Sequence, residues 1–215
     1  MRDVKPSDLI FIDETGINLA LVRTHARSAS GLRAYGERPY QRGKNVTLVG
    51  AIALKGLVAA MTVEGGTTGE VFRAFVEQIL VPSLWPGAVV VMDNLSAHKV
   101  KGIQETIEAA GAKVVYLSPY SPDFNPIENC WSLLKEYLRG VAARSRDALS
   151  TALTKGLELI SPKNIISWFT HCCYCKSSVN FITIVAGEFG QFFYYSINYS
   201  DNYLVVYLNN YLIII

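Results

Sequence analysis

Three acidic residues stand where a folded chain can bring carboxylates together. Asp13 directly follows an apolar run at residues 9–12, and Asp93 directly follows a second apolar run at residues 88–92. Uninterrupted apolar runs of this length predict strands that are buried on both faces of a sheet. In open sheets with crossover helices, ligands bind at the carboxyl ends of the strands. If these two strands are neighbours, Asp13 and Asp93 therefore lie close to each other.

The third carboxylate, Glu128, lies in the first turn of a predicted helix. Asn125 is a typical N-cap, Pro126 is a typical first helical residue, and Gly140 is expected to end the helix. One apolar stripe follows at helical spacing. Its members are Ile127, Trp131, Leu134 and Leu138. Glu128 lies about 100° around the helix from Ile127, so it projects from the flank of the core.

These acids predict a site for a divalent cation. Two adjacent carboxylates stay ionised together only when a cation lies between them. Ligands that are all oxygen select Mg²⁺ or Mn²⁺ rather than zinc. Two such ions about 3.5–4 Å apart activate an attacking oxygen and stabilise the leaving one. Taken singly, each acid also has a structural interpretation, as a turn aspartate or a capping-box glutamate.

The elements that would position the acids follow from hydrophobic periodicity and turn residues. A strand is predicted at residues 8–14, with a turn at 14–16 and a hairpin partner at 17–22. A second hairpin is predicted from strands 46–53 and 57–63. Strands 88–93 and 113–117, joined by a helix at 97–110, predict a parallel crossover unit. Further helices are predicted at 69–82 with Thr68 as N-cap, at 145–160, and from 162 to 168.

Three sequence blocks resemble the catalytic domain of the IS630/Tc1/mariner transposases. They are Ile-Asp-Glu-Thr-Gly at 12–16, Val-Met-Asp-Asn-Leu-Ser-Ala-His-Lys at 91–99, and Leu-Ser-Pro-Tyr-Ser-Pro-Asp-Phe-Asn-Pro-Ile-Glu-Asn-Cys-Trp at 117–131. The 34 residues between Asp93 and Glu128 match the spacing between the second and third acids of that family. The resemblance covers about residues 5–175.

The resemblance implies an α/β fold, a ribonuclease-H-like mixed β-sheet flanked by helices on both faces. It implies that Asp13, Asp93 and Glu128 are the catalytic residues and bind Mg²⁺ or Mn²⁺, as two ions. The implied reaction is cleavage of DNA at transposon ends, followed by attack of the 3′-hydroxyl on target DNA. The implied partners are the inverted repeats, the target DNA and a second copy of the chain in a homodimer.

Three polar residues near the acids are candidate accessory residues: Asn94, His98 and Asn125. His98 follows Asp93 by five residues and is a candidate to contact phosphate or to orient a carboxylate. The alternative is a polar residue that only starts a helix.

A basic segment is the candidate DNA-binding surface, because phosphate contacts supply most sequence-independent affinity. Its cations are Arg23, Arg27, Arg33, Arg38, Arg42 and Lys44, and its single acid is Glu37. The alternative is a solvated basic loop.

Composition limits the remaining possibilities. A formal net charge of +2 does not by itself indicate a polyanion partner, and the four cysteines are not spread as a disulfide framework. No apolar signal core or 20-residue apolar span is present, so a cytoplasmic, nucleoid-associated protein is expected, without membrane contact.

The predicted domain organisation is a catalytic domain at 1–175 and an atypical tail at 176–215, interpreted as disordered or read-through. The tail carries three charges against many tyrosines, isoleucines and asparagines. The first acid stands at residue 13, so the N-terminal helix-turn-helix of the family is expected to be absent or separately encoded. Two alternatives to an active transposase remain open. One is an inactive remnant that binds DNA or regulates an intact transposase, and the other is a different metal-dependent ribonuclease-H-like nuclease.

Overall fold

The computed structural model describes residues 4–118 and 121–175, and beyond them only the backbone of four strands. The chain divides into two compact units, Met1–Tyr174 and Cys175–Ile215. The predicted boundary at residue 175 and the predicted nature of the tail fall largely on residues outside those described. The four strands form a sheet in sequence order, with bounds Asn180–Ile182, Tyr195–Ser200, Tyr203–Leu208 and Tyr211–Ile214.

A five-stranded mixed sheet is the centre of the first unit. Its strands are β1 (Leu9–Ile17), β2 (Val46–Ala53), β3 (Gly56–Glu64), β4 (Val89–Met92) and β5 (Lys113–Tyr116). The order across the sheet is β3-β2-β1-β4-β5, in which β1 pairs antiparallel with β2 and parallel with β4. The predicted β2–β3 hairpin and the parallel β4–β5 pair are both confirmed. Because β1 and β4 are neighbours, the two aspartate-bearing segments lie side by side.

Helices cover both faces of the sheet. They are α1 (Gly69–Phe75), α2 (Ile103–Ala109), α3 (Pro126–Val141), α4 (Arg146–Glu158) and α5 (Pro162–His171). Side chains of β1 alternate between the faces. Ile10 and Ile12 pack in the core formed with α1 and α2. Phe11 packs edge-on against Phe169 of α5, with ring centroids 5.4 Å apart. The predicted α/β architecture with helices on both faces is therefore confirmed.

The first strand differs from the prediction. Asp13 was expected to end it and residues 14–16 to form a turn, but β1 continues through Asp13 to Ile17. The expected hairpin partner at 17–22 is wrong, because the antiparallel partner of β1 is β2, reached through a loop at 18–45. The alternation of buried Asp13, Thr15 and Ile17 with more exposed Glu14 and Gly16 is that of a strand.

The helices confirm most of the predicted elements but shift some ends. Thr68 caps α1 as predicted, since its hydroxyl accepts from the Val71 N–H at 3.3 Å. The helical region then continues through a π-helical turn at Val76–Leu80. The helix predicted at 97–110 is instead a 3₁₀ turn at Ser96–Lys99 followed by α2. Gly140 does not end α3, which closes at Ala142 in the left-handed conformation.

Among the residues that the structure describes, no helix is long and apolar enough to cross a membrane.

Candidate active site

Asp13 lies in the middle of β1 on the sheet face that packs against α3. Its residue is 8% exposed, and the indole Nε1–H of Trp131 donates a hydrogen bond to its Oδ2 at 3.0 Å. Burial and, next in size, the negative charge of Glu128 raise the pKa of Asp13 to about 7, against weaker hydrogen bonds that lower it. A carboxyl held in this way is unfavourable as an anion unless a cation compensates it.

Glu128 reaches the same region from the first turn of α3. Pro126 occupies the first helical position, and the buried stripe of the helix contains the predicted residues Ile127, Trp131, Leu134 and Leu138. Glu128 itself is exposed, as expected for a side chain on the flank of the stripe. The partial positive charge at the start of a helix favours a carboxylate there. Thus α3 supplies both the acid whose charge reaches Asp13 and the indole that holds Asp13.

Asp93 directly follows β4, which is the strand next to β1, the strand that carries Asp13. The last parallel pair between β1 and β4 is Phe11 with Val91, so Asp13 and Asp93 both lie two residues beyond it. The Oδ1 atom of Asp93 accepts a hydrogen bond from the Leu95 N–H at 2.9 Å. The side chain is 40% exposed, and the same Oδ1 lies 2.7 Å from Nδ1 of His98.

His98 is fully buried between two carboxylates. Its Nε2 lies 2.9 Å from Oε1 of Glu14, whose side chain is 11% exposed. Its Nδ1 is at ion-pair distance from Asp93 but lacks the alignment of a hydrogen bond. Burial lowers the pKa of His98, but the hydrogen bond to Glu14 and the charges of Glu14 and Asp93 outweigh it, so the net shift is upward. His98 therefore lies behind Asp93 and contacts no solvent.

The other two candidate accessory residues have different surroundings. Asn94 donates from Nδ2 to the carbonyl oxygen of Leu117, which ties the loop after β4 to the end of β5. Asn125 occupies the predicted N-cap position of α3, but its side chain makes no capping hydrogen bond. The Glu128 N–H donates instead to the main-chain oxygen of Asn125 at 3.1 Å. The side-chain Oδ1 of Asn125 is buried and has no partner within the described parts of the chain.

The basic segment lies in the long loop between β1 and β2. Residues 23–38, Arg42 and Lys44 are exposed. Lys44 pairs with Glu64 at 2.5 Å, at the end of β3. Arg23 and His25 line a cavity of about 540 Å³ with Ser132, Glu136 and Arg139 of α3. The loop therefore presents cations to solvent, and its first residues, at Arg23 and His25, lie beside the helix that carries Glu128.

The acids suit an oxygen-bound divalent ion in their chemistry, although they are not gathered around one point. Within residues 4–118 and 121–175, no three His, Cys, Asp or Glu side chains are close enough to hold a metal as they stand. The Oδ1 atom of Asp93 lies against His98 and accepts from the Leu95 N–H. The donor set is nevertheless all carboxylate, and the buried Asp13 beside an anionic Glu128 is the environment that a cation relieves.

A family model described as DDE superfamily endonuclease matches residues 8–150, which contain the whole sheet and all three acids. The chain belongs to this family. Comparison with curated proteins returned no match.

Solved structures of the Mos1 mariner transposase share the fold. A Mos1 transposase paired-end complex with the left transposon end has a TM-score of 0.67 at 15% identity, over 80% of this chain and 54% of that one. A Mos1 paired-end complex with Mn has a TM-score of 0.66 at 16% identity, over 80% of this chain and 55% of that one. The Mos1 catalytic domain has a TM-score of 0.60 at 13% identity, over 80% of this chain and 81% of that one. The chain therefore spans about half the length of the Mos1 chains in these complexes and has their ribonuclease-H-like fold.

Two residues around the acids were missed by sequence reasoning. Trp131 was assigned only to the helix core, and Glu14 only to a turn. Trp131 follows Glu128 by three residues, so one helical turn separates them, and this spacing was the available signal. Glu14 gave a weaker signal. The burial of its neighbours alternates as in a strand, which places Glu14 on the face opposite Asp13.

Proposed function

We propose that this chain is the catalytic domain of a transposase of the IS630/Tc1/mariner type. It would cleave DNA at transposon ends in a reaction that depends on a divalent metal, and join the resulting 3′-hydroxyl to target DNA. Membership of the DDE endonuclease family and the fold shared with Mos1 support the reaction class. The residues proposed as catalytic are Asp13, Asp93 and Glu128.

One observation carries the proposal. Asp13 is a buried acid whose pKa is raised to about 7 by burial and then by the charge of Glu128. An acid that only stabilised the fold would be expected to have a cationic or hydrogen-bonding environment that lowers its pKa. Hydrogen bonds from the Glu14 main chain and from the Trp131 indole lower the pKa of Asp13, but they do not compensate for burial. The arrangement is destabilising on its own and favourable around a cation.

Each residue has a distinct part in this proposal. Asp13, Asp93 and Glu128 would hold Mg²⁺ or Mn²⁺, as two ions. Such ions lower the pKa of an attacking water or hydroxyl and neutralise charge on the scissile phosphate. Trp131 keeps Asp13 in place, and the N-terminus of α3 favours the negative charge of Glu128. Mos1 structures solved with Mn and with Mg support the choice of ion.

DNA would be held through its backbone by the exposed basic loop. The loop carries six cations and one acid over residues 23–44, and phosphate contacts of this kind supply affinity without sequence readout. A homodimer on two DNA ends is part of the proposal, since the Mos1 relatives are named as paired-end complexes.

The proposal is tested with two DNA substrates and Mn²⁺. Nicking of a supercoiled plasmid measures cleavage, and joining of a short duplex with a free 3′-hydroxyl to that plasmid measures strand transfer. Both activities in the wild type, and neither in Asp93→Asn, support a transposase catalytic domain. Nicking without joining indicates another metal-dependent nuclease. Retention of DNA binding without either reaction indicates an inactive remnant and contradicts the proposal.

A further inference from the structure

Adjacent residues of β1 contribute to opposite faces of the sheet. Asp13 points toward α3, while Glu14 points toward the face covered by α1 and α2. There the Glu14 Oε1 atom lies 2.9 Å from Nε2 of His98, a residue 84 positions further along the chain. Both side chains are shielded from solvent, with 11% exposure for Glu14 and none for His98. This contact lies outside the three acids of the proposed site.

The imidazole of His98 is fixed on several sides. The Phe72 ring of α1 lies against it, with centroids 4.2 Å apart. The Tyr116 hydroxyl donates to the His98 main-chain oxygen at 3.4 Å. With Nε2 held by Glu14, the ring has one orientation, and Nδ1 then faces Asp93 Oδ1 at 2.7 Å.

Among the described residues, polar contacts are made by only one oxygen of Asp93. Oδ1 accepts the Leu95 N–H and lies against His98 Nδ1. Within the described residues, Oδ2 has no polar partner, and the side chain is 40% exposed. The carboxylate is therefore anchored from the sheet side and open on the solvent side.

We propose that Glu14 and His98 form a positioning pair that fixes Asp93 through Oδ1 and presents Oδ2 to a divalent ion. The inference rests on the proposed function, because it assigns the residues that orient one of the three proposed ligands. Glu14 and His98 are positioning residues and do not touch the ion or the DNA. Polar partners that surround a metal ligand fix its orientation, and their loss lowers metal affinity by about 10–100-fold.

The test combines calorimetric titration with Mn²⁺ and amide hydrogen exchange at Leu95, measured by NMR without metal. His98→Phe keeps an aromatic ring against Phe72 and removes both nitrogens. Glu14→Ala frees Nε2, and Glu14→Gln keeps an acceptor oxygen at the same place. We expect the Mn²⁺ dissociation constant to rise tenfold or more in His98→Phe and Glu14→Ala, with faster exchange at Leu95. Glu14→Gln should retain most of the wild-type Mn²⁺ affinity and most of the slow exchange at Leu95.

Two exposed residues provide matched controls. Glu77→Ala removes a carboxylate from the helical turn after α1, and His171→Phe changes a histidine at the end of α5. Both should stay within twofold of the wild type. Wild-type Mn²⁺ affinity and wild-type Leu95 exchange in His98→Phe and Glu14→Ala would overturn the positioning pair, even if plasmid nicking confirms the proposed function. If the wild type binds no Mn²⁺, the proposed function fails and the role toward an ion fails with it. The Leu95 amide then shows separately whether His98 holds Asp93.

Discussion

The indole nitrogen of Trp131 donates to the buried carboxylate of Asp13 at 3.0 Å, across 118 residues of sequence. This bond joins the strand that carries the first acid to the helix that carries the third. It fixes the distance of α3 from the sheet and leaves the exposed Glu128 one turn away from the same contact. The proposed site thus depends on a residue that is also part of the core.

Replacing Trp131 by Phe should destabilise the protein and raise the pKa of Asp13 above its value of about 7. The Trp131 hydrogen bond lowers that pKa, and a hydrogen bond to a charged group contributes about 1.5–3 kcal/mol. Thermal unfolding at pH 8 measures the loss. Trp168→Phe is the control, since Trp168 of α5 is only half-buried. Equal effects of the two substitutions would contradict a specific role for the bond.

Gly50 of β2 provides the space that the Trp131 ring occupies. It pairs with Asp13 across the sheet, and a Cβ atom there would lie 2.6 Å from Cη2 of Trp131. We expect Gly50→Ala to cost about 1–3 kcal/mol through overpacking. It should also reduce plasmid nicking by displacing the indole from Asp13.

The matched control for Gly50→Ala is Gly36→Ala in the basic loop. A Cβ atom at Gly36 meets nothing within 4 Å. Its stability should stay within about 0.5 kcal/mol of the wild type, as for other surface substitutions. The interpretation fails if chemical denaturation gives Gly50→Ala the same stability as Gly36→Ala.

Without metal, stability should fall as the pH rises. The pKa of Asp13 is about 7 in the fold and 3.8 as the reference value, so ionising it disfavours the folded state. Protonated Asp13 contributes its full stabilisation below about pH 4. As the pH rises to about 7 this stabilisation is lost, which lowers the free energy of unfolding by about 4 kcal/mol at most. Denaturant unfolding between pH 4 and pH 8 measures this slope.

Asp13→Asn should remove most of that slope, and Asp8→Asn just before β1 should not. Mn²⁺ at pH 8 should stabilise the wild type and have little effect on Asp13→Asn, because binding to the folded state raises stability. An unchanged slope in Asp13→Asn would show that Asp13 is not the titrating group.

The basic loop should determine the salt dependence of DNA binding. Neutralising Arg27, Arg33 and Arg38 together should reduce the slope of log affinity against log salt by about 0.9 for each lost phosphate contact. Removing the same number of charges at Lys101, Lys155 and Lys163 is the control. Fluorescence anisotropy with a short duplex at several salt concentrations measures both. Identical slopes for the two triple variants would place the DNA elsewhere.

Local patterns in the sequence predicted where strands and helices form better than they predicted how these elements pair and pack. The apolar runs before Asp13 and Asp93 predicted two buried strands, and the fold makes them neighbours. The crossover between β4 and β5 follows from the length of the connection. The Asp-Glu-Thr-Gly block was interpreted as a turn because its residues are turn formers. In the fold, pairing with β2 overrides that preference and extends β1 to Ile17.

The residues that support the acids could not be found from periodicity. Trp131 and His98 are typical core and polar residues in the sequence, and their roles come from contacts 118 and 84 residues away. Alternation within β1 places Glu14 opposite Asp13, but nothing local indicates that His98 will lie beneath it. Such contacts depend on how α1, α3 and the loop after β4 pack on the sheet.

Anomalous diffraction from crystals soaked in Mn²⁺ tests the central claim most directly. We expect Mn²⁺ bound by Asp13 and Glu128 and by Oδ2 of Asp93, with metal–oxygen distances of about 2.1 Å, close to those of Mg²⁺. Asp13→Asn crystals soaked in the same way should show weakened or absent peaks. Strong Mn²⁺ peaks at other residues, with Oδ2 of Asp93 bound to no ion and Asp13 bound only by Trp131, would contradict a metal site made by these three acids.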